Sequence, residues 1–188
     1  MTIAVLGGRF DPPHWGHFWI AQQVLDARPD IDEVWMIPAF QHQWKACAAS
    51  ASDRLHMTAL LQTSRVKVSD LEVKRGGISY SVDTVKQILS LGNHTVYWIV
   101  GSDVVSEFAQ WEKKEELAKL TTFIVFPRDP YRLPPVLPPG FEAIHSPSLV
   151  TTNLSSTFIR NRIKKGESVR GFVSEGVEKY IIKKKLYQ

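Results

Sequence analysis

Two histidines three residues apart, His14 and His17, with Gly16 between them, carry the most suggestive chemistry in this chain. They close the stretch Gly7-Gly8-Arg9-Phe10-Asp11-Pro12-Pro13-His14-Trp15-Gly16-His17. Imidazoles at this spacing share one face of a helix start. A helix start offers unpaired N–H groups and the positive end of the dipole, which suits a phosphate. Gly7 and Gly8 let the backbone turn sharply and approach a ligand, and Gly16 leaves space for one. A second set lies near the other end of the chain, Ser155, Ser156, Thr157 and Arg160. Three hydroxyls at a helix start and a planar donor fork one turn on again suit phosphate. A third set is Gly101, Asp103 and Trp111. A carboxylate at a strand end accepts from ribose hydroxyls, and an indole stacks on a flat ring. Each set has a plain structural reading by itself: a turn with surface histidines, a serine cap, a capping aspartate with a core tryptophan. Occurring together, the first two sets favour a site for phosphate groups.

The elements that must hold these residues follow from periodicity. Residues 2–6 form an apolar run that predicts a buried strand leading into the glycine turn. Asp11 suits an N-cap and Pro12 a first helical position, which predicts a helix to about Asp26 with Ile20, Ala21 and Val24 inward. Further strands are expected at 33–38, 66–68, 71–73, 95–100, 122–126 and 141–144. Helices are expected at 53–62, 81–89 with Ser81 as cap, 104–110, 113–120, 155–165, and from Ser174 onward. Residues 39–52 read as a long surface loop, and six prolines make 127–139 an irregular connector. Alternating strands and helices predict an α/β fold: a Rossmann-like, doubly wound parallel sheet with helices on both faces and a small C-terminal helical part. Ligands of such sheets bind beyond the carboxyl ends of the strands, where strand order reverses. The glycine turn and Gly101–Asp103 would flank that point.

The long motif resembles the nucleotidyltransferase superfamily signature H-x-G-H and, as G-G-x-F-D-P-x-H-x-G-H, the bacterial nicotinate mononucleotide adenylyltransferase family. Leu154-Ser155-Ser156-Thr157-Phe158-Ile159-Arg160 is similar to that family's I-S-S-T-x-I-R. Gly101 and Asp103 resemble its G-x-D, and Ile78 to Thr84 its S-Y-T-x-D-T, with Ser81 where threonine is usual. Asp53-Arg54-Leu55-His56-Met57 resembles its R-L-x-M helix, and residues 166–181 its C-terminal ending. The resemblance implies transfer of AMP from ATP to a pyridine mononucleotide, with release of pyrophosphate. It implies catalytic roles for His14, His17 and Arg160. It implies ATP contacts from Gly7, Gly8, Arg9, Phe10, His14, Gly16, His17, Gly101, Asp103, Ser155, Ser156, Thr157 and Arg160. Lys45, Ser81 and Trp111 would meet the acceptor, with Trp111 stacked on the pyridine ring. The chain departs from the family in two places. Arg9 replaces serine or threonine, as in the nicotinamide mononucleotide branch, and the loop 38–45 lacks P-P-H-K, keeping Lys45 but placing Trp44 where histidine is expected, with His42 nearby. The resemblance implies nicotinate mononucleotide as the acceptor, with nicotinamide mononucleotide or phosphopantetheine as alternatives that these departures keep open. From another class, a nucleotide-binding module without turnover stays open.

At 188 residues, the natural reading is one domain spanning 1–188. Hydrophobic residues at 44% and charged residues at 22% describe an ordinary globular protein. The net charge of +4 suits anionic ligands, but the basic residues form no long stripe, so nucleic acid is not expected as a partner. The expected partners are ATP and a pyridine mononucleotide, with the oligomeric state open to a homo-oligomer. The single cysteine, Cys47, forms no internal disulfide and has no zinc-like company. A reducing cytoplasm fits. No signal peptide and no membrane span are expected. No protein metal site is expected either; Mg²⁺ would arrive with ATP.

Overall fold

A computed structural model describes residues 1–131 and 133–188. Six strands form one parallel sheet: β1 (Thr2–Gly8), β2 (Glu33–Pro38), β3 (Val66–Val68), β4 (Thr95–Gly101), β5 (Thr122–Phe126) and β6 (Phe141–Ala143), in the order β3-β2-β1-β4-β5-β6. The central strands carry unbroken apolar runs because both their faces are covered. Residues Ile3, Ala4 and Val5 of β1 are fully buried, as is Val125 of β5. One cluster, with Ala4, Val24 and Met36, packs beneath α1 (Trp15–Ala27). The other, with Ile3, Val85 and Leu117, packs beneath α4 (Ser81–Ser90) and α5 (Lys114–Leu120). A third cluster joins Met57 of α2 (Ala51–Ala59), Ile159 of α6 (Ser156–Lys164) and Val177 and Ile181 of α7 (Glu175–Lys184). It is the small C-terminal helical part.

Strand order reverses between β1 and β4, so their carboxyl ends, Gly8 and Gly101, open the crevice where such sheets bind ligands. A 3₁₀ helix (Val105–Gln110) follows β4.

Three expectations need correction. Residues 71–73 are not a strand but the start of a short helix, α3 (Leu71–Arg75). Its register lets buried Glu72 accept from the Thr84 hydroxyl at 2.5 Å, a partner that an edge strand would not have met. The helix α2 begins two residues earlier than expected, because Ser50 caps it by accepting from Asp53 N–H. Ser81 is the first residue of α4 and not its cap; Tyr80 holds that position without a side-chain bond.

Candidate active site

The glycine turn is built by packing. A β-carbon on Gly7 would lie 2.7 Å from the indole of Trp98 on β4, so glycine here makes room for that ring. Phe10 adopts a positive φ of 49° and turns its ring into the core, against His17 at 4.7 Å between centroids. Phe10 is thus a floor under the histidines and not a surface contact.

Asp11 does not cap α1, and Pro12 is not its first residue. The Asp11 carboxylate is committed elsewhere: it accepts from the N–H groups of Ala48 and Ala49 and from the Tyr187 hydroxyl. The helix starts at Trp15 with His14 at the cap position, and the His17 side chain caps it by accepting from His14 N–H at 3.2 Å. Because His17 Nδ1 is that acceptor, the proton of the neutral ring sits on Nε2.

The two rings pack against each other, 3.8 Å between centroids and tilted by 35°. Burial, then His17, then Arg128 hold His14 well below the ordinary histidine range. Burial and Arg128 push His17 down to about 3. Both rings are therefore neutral at neutral pH in the free protein. Gly16 leaves its space to His14 and not to a ligand: a β-carbon there would stand 2.9 Å from His14 Nδ1. That nitrogen is buried and unpartnered among the described residues.

Opposite the histidines, Asp103 ends the Gly101 turn. Its Oδ2 accepts from Arg128 at 2.8 Å, while Oδ1 is buried without a partner. A β-carbon on Gly101 would meet Oδ1 at 2.2 Å, so this glycine admits the carboxylate. Sequence reasoning missed Arg128, which sits two residues past β5 in what reads as a proline-rich connector. The signal was a cation directly after a central strand.

A cleft of about 370 Å³ runs from here, with Gly7, Gly8, Arg9, His17, Gly101, Asp103 and Arg128 around its floor. His42, Trp44, Lys45, Ser81 and Trp111 also line it. Trp111 is half-buried, tilted against Phe108 at 5.7 Å, so it belongs to both the wall and the rim of the core. Burial, then Arg9 and Lys45, lower the His42 pKa, which marks a cationic corner.

The second motif packs behind the first. Ser155 caps α6 by accepting from Phe158 N–H. The Ser156 hydroxyl donates to the Pro12 carbonyl at 2.8 Å, and Arg160 donates to the Asp11 carbonyl at 2.7 Å and to the Thr157 hydroxyl at 3.1 Å. These contacts join the two motifs, 144 residues apart in sequence. The second motif therefore buttresses the loop leading to His14, with Ser155, Ser156, Thr157 and Arg160 outside the lining of the cleft. Among the described residues no group of three or more His, Cys, Asp or Glu side chains could hold a metal ion. No helix among them is long and apolar enough to cross a membrane.

This geometry can hold a chain of phosphates between neutral imidazoles and a guanidinium, with a sugar at Asp103 and a flat ring near Trp111. The family model described as cytidylyltransferase-like matches residues 5–162. A protein of Shouchella clausii (strain KSM-K16) named "Probable nicotinate-nucleotide adenylyltransferase" is 37% identical over 98% of this chain and 96% of its own length. One of Oceanobacillus iheyensis with the same name is 36% identical over the same shares. The chain belongs to the nicotinate-nucleotide adenylyltransferase family, within the cytidylyltransferase-like group. It is a nucleotidyltransferase. The fold agrees: the nicotinic acid mononucleotide adenylyltransferase of Plasmodium falciparum, solved with NaAD, superposes with a TM-score of 0.83 at 22% identity, covering 99% of this chain and 97% of that one.

Proposed function

We propose that residues 1–188 act as one cytoplasmic domain that transfers AMP from MgATP to nicotinate mononucleotide, forming the dinucleotide and releasing pyrophosphate. The observation that carries this reading is the group His14, His17, Arg128 and Asp103 at the strand-order reversal, opening into a cleft with a cationic corner and Trp111. The names of the full-length relatives support the nicotinate acceptor.

An oxygen of the acceptor 5′-phosphate attacks the α-phosphorus of ATP in line. That P–O bond forms as the bond to the β-phosphate oxygen breaks, and the electron pair leaves on pyrophosphate. A phosphate dianion needs no activating base, so the protein supplies position and charge stabilisation. His17 donates from Nε2 to the phosphates; His14 beside it becomes a second donor as the phosphates arrive. Arg128 balances the growing charge on pyrophosphate once substrate draws it from Asp103. Asp103 then accepts from ribose hydroxyls through both oxygens. Gly7, Gly8 and Gly101 allow the nucleotide close to the backbone. Arg160, with Ser155, Ser156 and Thr157, fixes the loop that aims His14 and closes on the ATP phosphates. Arg9 and Lys45 seat the acceptor phosphate, and Ser81 and Trp111 its ring. Mg²⁺ enters as part of MgATP.

Pyrophosphate release, followed across a panel of nicotinate mononucleotide, nicotinamide mononucleotide and phosphopantetheine, tests the reading. Nicotinate mononucleotide should give the highest kcat/KM. Binding of ATP with no turnover on any acceptor would leave a nucleotide-binding module instead.

A further inference from the structure

The R-L-x-M helix contains a charge that the reaction does not use. Arg54 on α2 is 1% exposed, among the most deeply buried large side chains of the protein. Its guanidinium donates to three carbonyls on three separate segments. Nη1 meets Arg9 O at 2.7 Å, Nη2 meets Phe40 O at 2.9 Å, and Nε meets Ala49 O at 3.2 Å. Arg9 belongs to the glycine turn. Phe40 and Ala49 are the two ends of the loop that carries His42, Trp44 and Lys45 into the cleft. One planar fork thus pinches the neck of the acceptor loop shut and ties that neck to the nucleotide turn. Burying a cation is costly unless it is well hydrogen-bonded, and here each of the three guanidinium nitrogens has a carbonyl partner.

The loop has few other polar fastenings. Asp11 accepts from Ala48 and Ala49 N–H at the same neck, and Arg9 donates to Ala46 O at 3.3 Å. Phe40 N–H donates to Ser79, whose N–H donates to Gln41 O. Most of these fastenings come from the nucleotide turn itself. The glycine turn, by contrast, is held by the sheet through β2, where Gly7 and Gly8 pair with Ile37 and Pro38.

We infer that Arg54 is a positioning residue that sets the acceptor loop in register with the nucleotide turn. This rests on reading the cleft wall at His42 and Lys45 as the acceptor side. A lysine at this position would keep the charge but has one nitrogen where the fork has three. Its loss should therefore fall on the acceptor and spare ATP.

The test uses the full chain with Arg54→Met and Arg54→Lys. Two readouts are taken: steady-state kinetics with MgATP and nicotinate mononucleotide, and amide hydrogen exchange of the free protein. Arg54→Lys should raise KM for the mononucleotide tenfold or more and change the dissociation constant of ATP less than twofold. Amides of residues 40–49 should lose protection while those of β1 and α1 keep theirs. Arg54→Met should show the same pattern more strongly. If Arg54→Met does not fold, Arg54→Lys decides alone. Wild-type exchange in residues 40–49 overturns the inference, as does a uniform loss of protection with both substrates weakened alike. The exchange readout needs no turnover, so it stands even if no acceptor reacts, an outcome that would fell only the functional reading.

Discussion

His17 lines the cleft, is neutral in the free protein and carries its proton on Nε2, because its other nitrogen accepts from His14 N–H. An arriving phosphate changes its titration in a defined sense. An anion beside the ring favours the protonated form, so its pKa should rise from about 3 when pyrophosphate or ATP binds. An NMR titration of the imidazole with and without ATP measures this; an unmoved pKa would place His17 away from the phosphates. His17→Ala should lower kcat by roughly a hundredfold, about 2.7 kcal/mol of barrier, with a small change in ATP affinity. The residue types and spacing of His14, His17 and Asp103 were legible in sequence because short-range geometry sets them. Arg128 was not, because its meaning comes from Asp103 across the strand pair, 25 residues away in the chain. The same holds for Asp11. A capping aspartate and an aspartate that gathers Ala48, Ala49 and Tyr187 look alike until the distant partners are known.

Among the elements, α6 is the clearest case of one helix holding another's approach. Arg160 bonds a main-chain carbonyl of the first motif and a hydroxyl of its own helix at once. Lysine cannot span both. Arg160→Lys should cut kcat/KM for ATP at least tenfold while the melting temperature falls by only a few degrees; wild-type kinetics would reduce Arg160 to charge alone. Trp111 stands at the junction of the 3₁₀ helix and α5, packed on Phe108 and lining the cleft. Trp111→Ala should raise KM for the mononucleotide, leave ATP binding nearly intact, and cost about 2 kcal/mol of stability, below the ~3–5 of a fully buried tryptophan. Trp111→Phe should recover part of both. Equal weakening of both substrates with a large melting shift would assign Trp111 to the core. Periodicity located the six strands of the sheet, since buried apolar runs are strong signals. It mistook Leu71 to Val73 for a strand because three residues fit either period, and only the buried Glu72 and its Thr84 partner decide between them.

For the molecule as a whole, the site histidines couple the chemistry to stability. Both take up a proton near 6.5 when unfolded and resist it when folded. The folded values are depressed, so this contribution is complete above about 6.5 and is lost as pH falls toward 3. The melting temperature should fall between pH 7 and pH 5, and His17→Asn should flatten that slope relative to the parent protein. Buried Glu72 acts in the opposite sense, its carboxyl raised by burial, and is common to both proteins compared. A steeper fall in His17→Asn would refute the assignment. The parallel sheet, and with it the location of the cleft between the turns after β1 and β4, followed from alternation of strands and helices. The small C-terminal helical part was also expected, but its packing on α2 was not, because α6 and α7 meet Met57 only after the chain has returned from its far end.

That return decides where a purification tag belongs. Met1 is exposed and lies at the amino edge of the sheet, a full strand from the glycine turn, about 20 Å at the usual rise per residue. Tyr187 is 8% exposed, and its hydroxyl holds the Asp11 carboxylate beneath the signature loop. A peptide fused ahead of Met1 departs into solvent far from the chemistry. One fused after Gln188 begins a single residue from that hydroxyl and pulls on it. Amino-terminally tagged and untagged protein should have matching kcat/KM and melting temperatures, whereas a carboxy-terminal tag should lower both.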